Sequence, residues 1–136
     1  MLLSDVQANA VWHCLFRVVQ ESIADKLVDL ITNYAKELVI GPAYYKTTHL
    51  GPVVEAAHKA NVCEWIQKGI DEGAKLILDG RDVVVQGFEN GFYLGPTIFD
   101  NVTQEMSIGR DEIFGPVLCI KRCKNFEEGL MIMNSS

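Results

Sequence analysis

The chain has 136 residues, of which 49% are hydrophobic and 22% charged. That is an ordinary globular mix, at a length that can build a core without staples. Twelve basic against eighteen acidic residues leave a formal charge of −6. This argues against a nucleic-acid or anionic-membrane partner, since phosphate binding needs clustered Lys and Arg. The densest basic stretch, Lys121-Arg122-Cys123-Lys124, is short and is followed by Glu127 and Glu128; it reads as a solvated strand end.

The cysteines are Cys14, Cys63, Cys119 and Cys123, with no CxxC pair and no His at ligand spacing, so no metal site is expected. Cys119 and Cys123 would share a strand face but sit too far apart to bridge. Free thiols suit a reducing compartment, and the chain shows neither a cationic leader before an apolar run nor a membrane span. These features lead to the expectation of a soluble, cytoplasmic protein.

No repeat, low-complexity tract or linker divides the chain, so residues 1–136 read as one unit. Residues 15–19 (LFRVV) suggest a short strand. A helix is expected over 22–38, opened by Ser22 and Asp25 as a capping box and stopped by Gly41-Pro42. Its apolar face is assigned to Ile23, Leu27, Leu30, Ile31, Tyr34 and Leu38. After a loop over 43–50, a second helix is expected over 54–72, with Val62, Ile66 and Ile70 four apart and Gly73 as its stop.

Residues 74–78 resemble a buried strand closed by Asp79-Gly80. Residues 82–86 and 92–98 read as two extended segments separated by Glu89-Asn90-Gly91, whose Asn-Gly pair favours a tight turn. Residues 117–122 form another strand, and Asn125 is placed to cap a last helix over 126–133. Strands alternating with amphipathic helices give an α/β class: a layered, largely parallel sheet with flanking helices.

Two segments carry more. Leu94-Gly95-Pro96-Thr97-Ile98-Phe99-Asp100-Asn101-Val102 is followed by Asp111-Glu112-Ile113-Phe114-Gly115-Pro116-Val117. With Leu50-Gly51-Pro52-Val53-Val54 and the helix end Lys68-Gly69-Ile70-Asp71-Glu72-Gly73-Ala74-Lys75, they resemble the aldehyde dehydrogenase superfamily in order and separation. Ile23-Ala24-Asp25, Asp79-Gly80-Arg81, Gly87-Phe88-Glu89-Asn90-Gly91 and the stretch after Thr97 look most like its methylmalonate-semialdehyde branch. That resemblance implies oxidation of a short semialdehyde with NAD, with coenzyme A as an open acyl acceptor. It implies that Glu112 hydrogen-bonds the nicotinamide ribose and that Phe114 packs beside the nicotinamide. A carboxylate has two acceptor oxygens for two ribose hydroxyls, and a ring offers contact area with few rotors. On spacing alone, Glu112 reads as a solvated loop carboxylate and Phe114 as a core aromatic.

The resemblance weakens towards the N-terminus, where residues 1–14 diverge. The family's chemistry needs a thiolate nucleophile and an oxyanion held by hydrogen-bond donors. Counting back without a gap puts Val11 at the nucleophile position. Cys14 is the neighbouring thiol and reads as inert; His13, beside it, would face the opposite way on an extended strand. No Gly-rich phosphate loop is visible, so the expectation is a partial catalytic domain without the NAD-binding Rossmann-like domain, inactive by itself. The alternative is a non-enzymatic module that associates, with itself or a complementary subunit, through exposed sheet edges. His49 reads as a loop residue and His58 as a solvated group on the exposed side of the second helix.

Overall fold

The computed structural model describes residues 16–135. Val11, His13 and Cys14 lie outside the described residues. Strand β1 (Arg17–Gln20) leads directly into α1 (Glu21–Lys36), and α2 (Ala56–Asp71) precedes β2 (Lys75–Leu78). Then come β3 (Thr97–Asp100), the short α3 (Ser107–Arg110), β4 (Val117–Cys123) and α4 (Phe126–Asn134). The four strands form one sheet in the order β1-β4-β3-β2. β1 runs parallel to β4 with Arg17 opposite Ile120, and β3 runs parallel to β4 with Thr97 opposite Val117. Only β2 is antiparallel, with Lys75 opposite Asp100. The expected α/β class with a largely parallel sheet is therefore the observed one.

Successive side chains on a strand face opposite ways, so each central strand feeds two cores. Val117 and Cys119 of β4 and Phe99 of β3 pack with Val62 and Ile66 of α2 and Ile108 of α3. Ile120 and Ile98 pack on the other face with Val19, Ala24, Val28 and Ala35 of β1 and α1. α4 lies on the α2 side, where a Cβ at Gly129 would come 3.3 Å from Cys123 Sγ. Cys63 and Cys123 are free thiols.

Several expectations need correction. α1 begins one residue early, after Gln20, with no side-chain cap. Asp25 reaches Arg122 instead, at 2.7 Å, so the Ser22/Asp25 capping box does not form. The buried face of α1 is Ala24, Val28, Thr32 and Ala35, whereas Ile23, Leu30 and Tyr34 are exposed. The small residues let the helix sit close on the sheet, and the large ones face outward. Residues 82–86 form no strand but run into a turn. The left-handed backbone there belongs to Gly87 (φ 81°), not to Asn90 or Gly91. β2 is half-buried rather than buried, as suits the edge of the sheet. Lys121 is not a solvated strand end: it is 2% exposed, on the α2 side of β4.

Other boundaries agree with the sequence. Gly73 follows α2 at φ 92°, a conformation that favours glycine. The Asn125 side chain accepts the Glu128 N–H at 2.9 Å and caps α4.

Candidate functional site

β4 begins at Val117, and the chain reaches it from α3 through Asp111-Glu112-Ile113-Phe114-Gly115-Pro116. Ile113 is buried in the α2-side core. Glu112 and Phe114, on either side of it, are exposed, Phe114 at 48%. Phe114 is therefore not the core aromatic that its residue type suggests. Two successive three-residue turns follow: Gly115 N–H donates to Ile113 C=O and Val117 N–H to Gly115 C=O, both at 2.8 Å. Thr97 N–H donates to Pro116 C=O at 2.8 Å and ties the end of the segment to β3.

α2 braces this segment and the short α3 before it. At its C-terminal end, Glu72 accepts Ser107 N–H at 2.7 Å and Ser107 Oγ–H at 2.5 Å, fixing the start of α3. The Ser107 hydroxyl bond, more than any other cause, holds the Glu72 carboxyl below its usual range. In the middle, Val62 lies against Gly115, where a Cβ would come 2.9 Å from a valine methyl. Near the N-terminal end, His58 Nε2–H donates to the Phe114 carbonyl at 2.5 Å. A carbonyl oxygen can only accept, so that nitrogen carries the proton. The His58 and Phe114 rings meet edge to face, centroids 6.2 Å apart. His58 is half-buried, not the solvated group the sequence suggests. A signal was present: His58 precedes Val62 and Ile66 at intervals of four, on the helix face that meets the core.

His49 is exposed and accepts the Val39 N–H through Nδ1 at 3.0 Å, a loop role as expected. Among the described residues, no group of three or more His, Cys, Asp or Glu residues could hold a metal ion. Among the same residues, no helix is long and apolar enough to cross a membrane. A groove of about 290 Å³ lies away from Glu112 and Phe114, between the end of α1 and the loop after β2. Ala35, Leu38, Ile40, Leu78 and Pro96 line much of it, together with the charged Lys36, Asp79 and Asp82.

A parallel-dominated sheet covered by helices on both faces, with an exposed acidic-aromatic loop at the head of a central strand, is an α/β layered domain. Residues 13–136 match the aldehyde dehydrogenase family, and the chain belongs to that family. It is similar to malonate-semialdehyde dehydrogenase 3 of Bacillus cereus, 47% identical over 87% of this chain and 24% of that protein. Among solved structures it is similar to the methylmalonate-semialdehyde dehydrogenase of Oceanimonas doudoroffii. The TM-score there is 0.84 at 33% identity, over 88% of this chain and 25% of that one. A Mycobacterium tuberculosis aldehyde dehydrogenase complexed with NAD+ superposes at TM-score 0.86 and 33% identity, over 98% of this chain and 28% of that one. The chain thus spans about a quarter of the length of the relatives it matches.

Proposed function

We propose that this chain supplies one wall of the nicotinamide-ribose site in an NAD-dependent aldehyde dehydrogenase. Its substrate would be a short semialdehyde of the malonate or methylmalonate type, in keeping with the names of its relatives. The observation that supports this most is the pair of exposed side chains, Glu112 and Phe114, flanking the buried Ile113. An ionised carboxylate accepts from two hydroxyls at once, and charge-assisted bonds of this kind are the strong ones. An open phenyl ring offers an apolar face to a planar heterocycle. An acceptor beside an apolar ring fits a nucleoside, and Glu112 and Phe114 would hold it. When bound, NAD would supply the hydride acceptor; the acyl group would pass to water or to coenzyme A.

The reading also places residues 1–136 within a single partial catalytic domain, in a cytoplasmic enzyme. Val11 stands at the nucleophile position, with Cys14 as the neighbouring thiol. The 136-residue chain, incubated with NAD and malonate semialdehyde, is then expected to form no reduced cofactor. Turnover at a rate typical of such enzymes would overturn the assignment of Val11. Binding is tested separately, by titrating the ¹⁵N-labelled chain with nicotinamide mononucleotide. Saturable shifts are expected at Glu112, Phe114 and Gly115, and should be lost in Glu112→Gln. Shifts equal in the two proteins, or none there, would sink the ribose reading.

A second reading has its own observation. Ile23, Leu30 and Tyr34 of α1 and Phe126, Leu130 and Met131 of α4 are all exposed, and open apolar surface favours association. Sedimentation of the chain across a concentration series decides between a second copy on these faces and a monomer.

A further inference from the structure

We infer that His58 is a positioning residue for the loop that carries Glu112 and Phe114. The inference rests on the ribose reading above and goes one step further. The Phe114 carbonyl sits between the phenyl ring and the paired turns at Gly115, so its direction and the ring's swing are linked. His58 touches both: its Nε2–H donates to the carbonyl, and its ring edge meets the phenyl.

The imidazole can do this reliably because it stands on α2, which is anchored again to the same segment and also to α3 just before it. Val62 abuts Gly115, and Glu72 holds Ser107. A side chain on a 16-residue helix packed into the core moves little relative to the sheet. An exposed loop built on three-residue turns has more freedom than a packed helix. His58 therefore links the rigidity of α2 to the exposed ring of Phe114. A ligand that stacks on Phe114 would meet a ring already oriented, and less ordering on binding means tighter binding.

The two contacts can be separated by substitution. His58→Phe keeps a ring against Phe114 but removes the donor. His58→Gln keeps a donor but removes the ring. His58→Ala removes both. One net hydrogen bond corresponds to about a fivefold change in affinity. Nicotinamide mononucleotide is therefore expected to bind about fivefold more weakly to His58→Ala, with much of the loss recovered in His58→Gln.

Two readouts do not depend on the ligand. The imidazole ¹⁵N shifts of the free chain should report a proton on Nε2. The Phe114 ring and Gly115 amide signals should move in His58→Ala while those of β1 and α4 stay in place. A proton on Nδ1 only, unmoved Phe114 and Gly115 signals, or unchanged nucleotide affinity in His58→Ala would each overturn the inference. A wild-type chain with these signatures but no nucleotide response would instead overturn the ribose reading and leave the contact intact. Should His58→Ala fail to fold, His58→Gln and His58→Phe carry the same comparison.

Discussion

Arg122 closes a two-pronged contact on Asp100: its Nε donates to Oδ1 at 3.1 Å and an Nη to Oδ2 at 2.6 Å. The Asp100 side chain is 1% exposed, and the same guanidinium extends to Asp25 on α1 at 2.7 Å. One cation therefore joins β4 to β3 and to the helix covering them. Removing it leaves a buried anion without its cation, which costs far more than losing a surface pair. Arg122→Met is expected to destabilise the chain by about 3–5 kcal/mol, read by urea unfolding. Adding Asp100→Leu should recover most of that loss. Asp25, largely open to water, should matter little alone. A double mutant no more stable than the single one would count against this account.

The pair also gives a pH dependence. Burial pushes the Asp100 carboxyl up, but the Arg122 bonds and the Asn101 N–H outweigh it and leave the group below its usual range. A carboxyl depressed in the folded state contributes stability above its unfolded value, about pH 4. That contribution fades as the pH falls through the lower folded value. Wild-type stability should drop on acidification below about pH 4, and the Asp100→Leu/Arg122→Met protein should lose less over the same range.

Lys121 is the opposite case. Its ammonium is buried and, among the described residues, has no hydrogen-bond acceptor; it lies 3.6 Å from the centre of the Phe16 ring. The ring attraction offsets part of the desolvation cost. Burial still pushes the Lys121 amine below its ordinary value, against the opposing pull of Cys119 and Glu105. Lys121→Met keeps the stem and removes the charge, and is expected to stabilise the chain by about 1–3 kcal/mol. The sign of the pH effect follows. A lysine depressed in the folded state binds fewer protons there than when unfolded, so stability rises with pH until the unfolded value, about 10.4, is passed. The gain from Lys121→Met should therefore shrink in alkaline thermal melts. A gain that stays constant up to about pH 10 would show that the charge is not its source.

How much of this could be read from residues alone differs by element. The period-two and period-3.6 patterns located β4 and α2 to within a few residues, because those elements bury apolar sets; α4, whose buried residue is Gly129, was legible through its Asn125 cap. The face of α1 was misassigned by about one residue, or roughly 100° of rotation. Hydrophobicity favours Ile23, Leu30 and Tyr34, but close packing on the sheet selects Ala24, Val28 and Ala35. The expected strand at 82–86 failed because Val83, Val84 and Val85 find no neighbouring strand to pair with. Glu112 and Phe114 were legible only as a motif. The register of His58 with Val62 and Ile66 signals that it faces inward, but its contact with a loop 56 residues away is not encoded in that local pattern.

The start of α4 offers a local test. Asn125 accepts the Glu128 N–H, and Glu128 in turn accepts the Lys124 N–H at 2.7 Å. Two backbone donors at the helix entrance are thus satisfied by side chains three to four positions apart. Asn125→Ala should cost about 1 kcal/mol, and Asn125→Gly only a few tenths. Hydrogen exchange at the Glu128 amide should rise in the alanine variant. Unchanged exchange there would mean that the packing of Gly129 against Cys123, not the cap, holds the helix start.

Gly115 tests whether the geometry of the loop, rather than its composition, matters. A Cβ at this position would come 2.9 and 3.0 Å from the two Val62 methyls. Valine is stiff about χ1 and has no long side chain to swing aside, so Gly115→Ala must push the loop away from α2. The overpacking cost is expected at about 1–3 kcal/mol. The displacement should also stretch the neighbouring contact from His58 to the Phe114 carbonyl. Val62→Ala in the same chain opens room for the new methyl, at the expense of apolar contact in the core. Gly115→Ala alone should therefore shift the Phe114 and His58 signals, and the double variant should return them towards wild type. Shifts that persist equally in the double variant would locate the strain in the turns themselves and not at the helix.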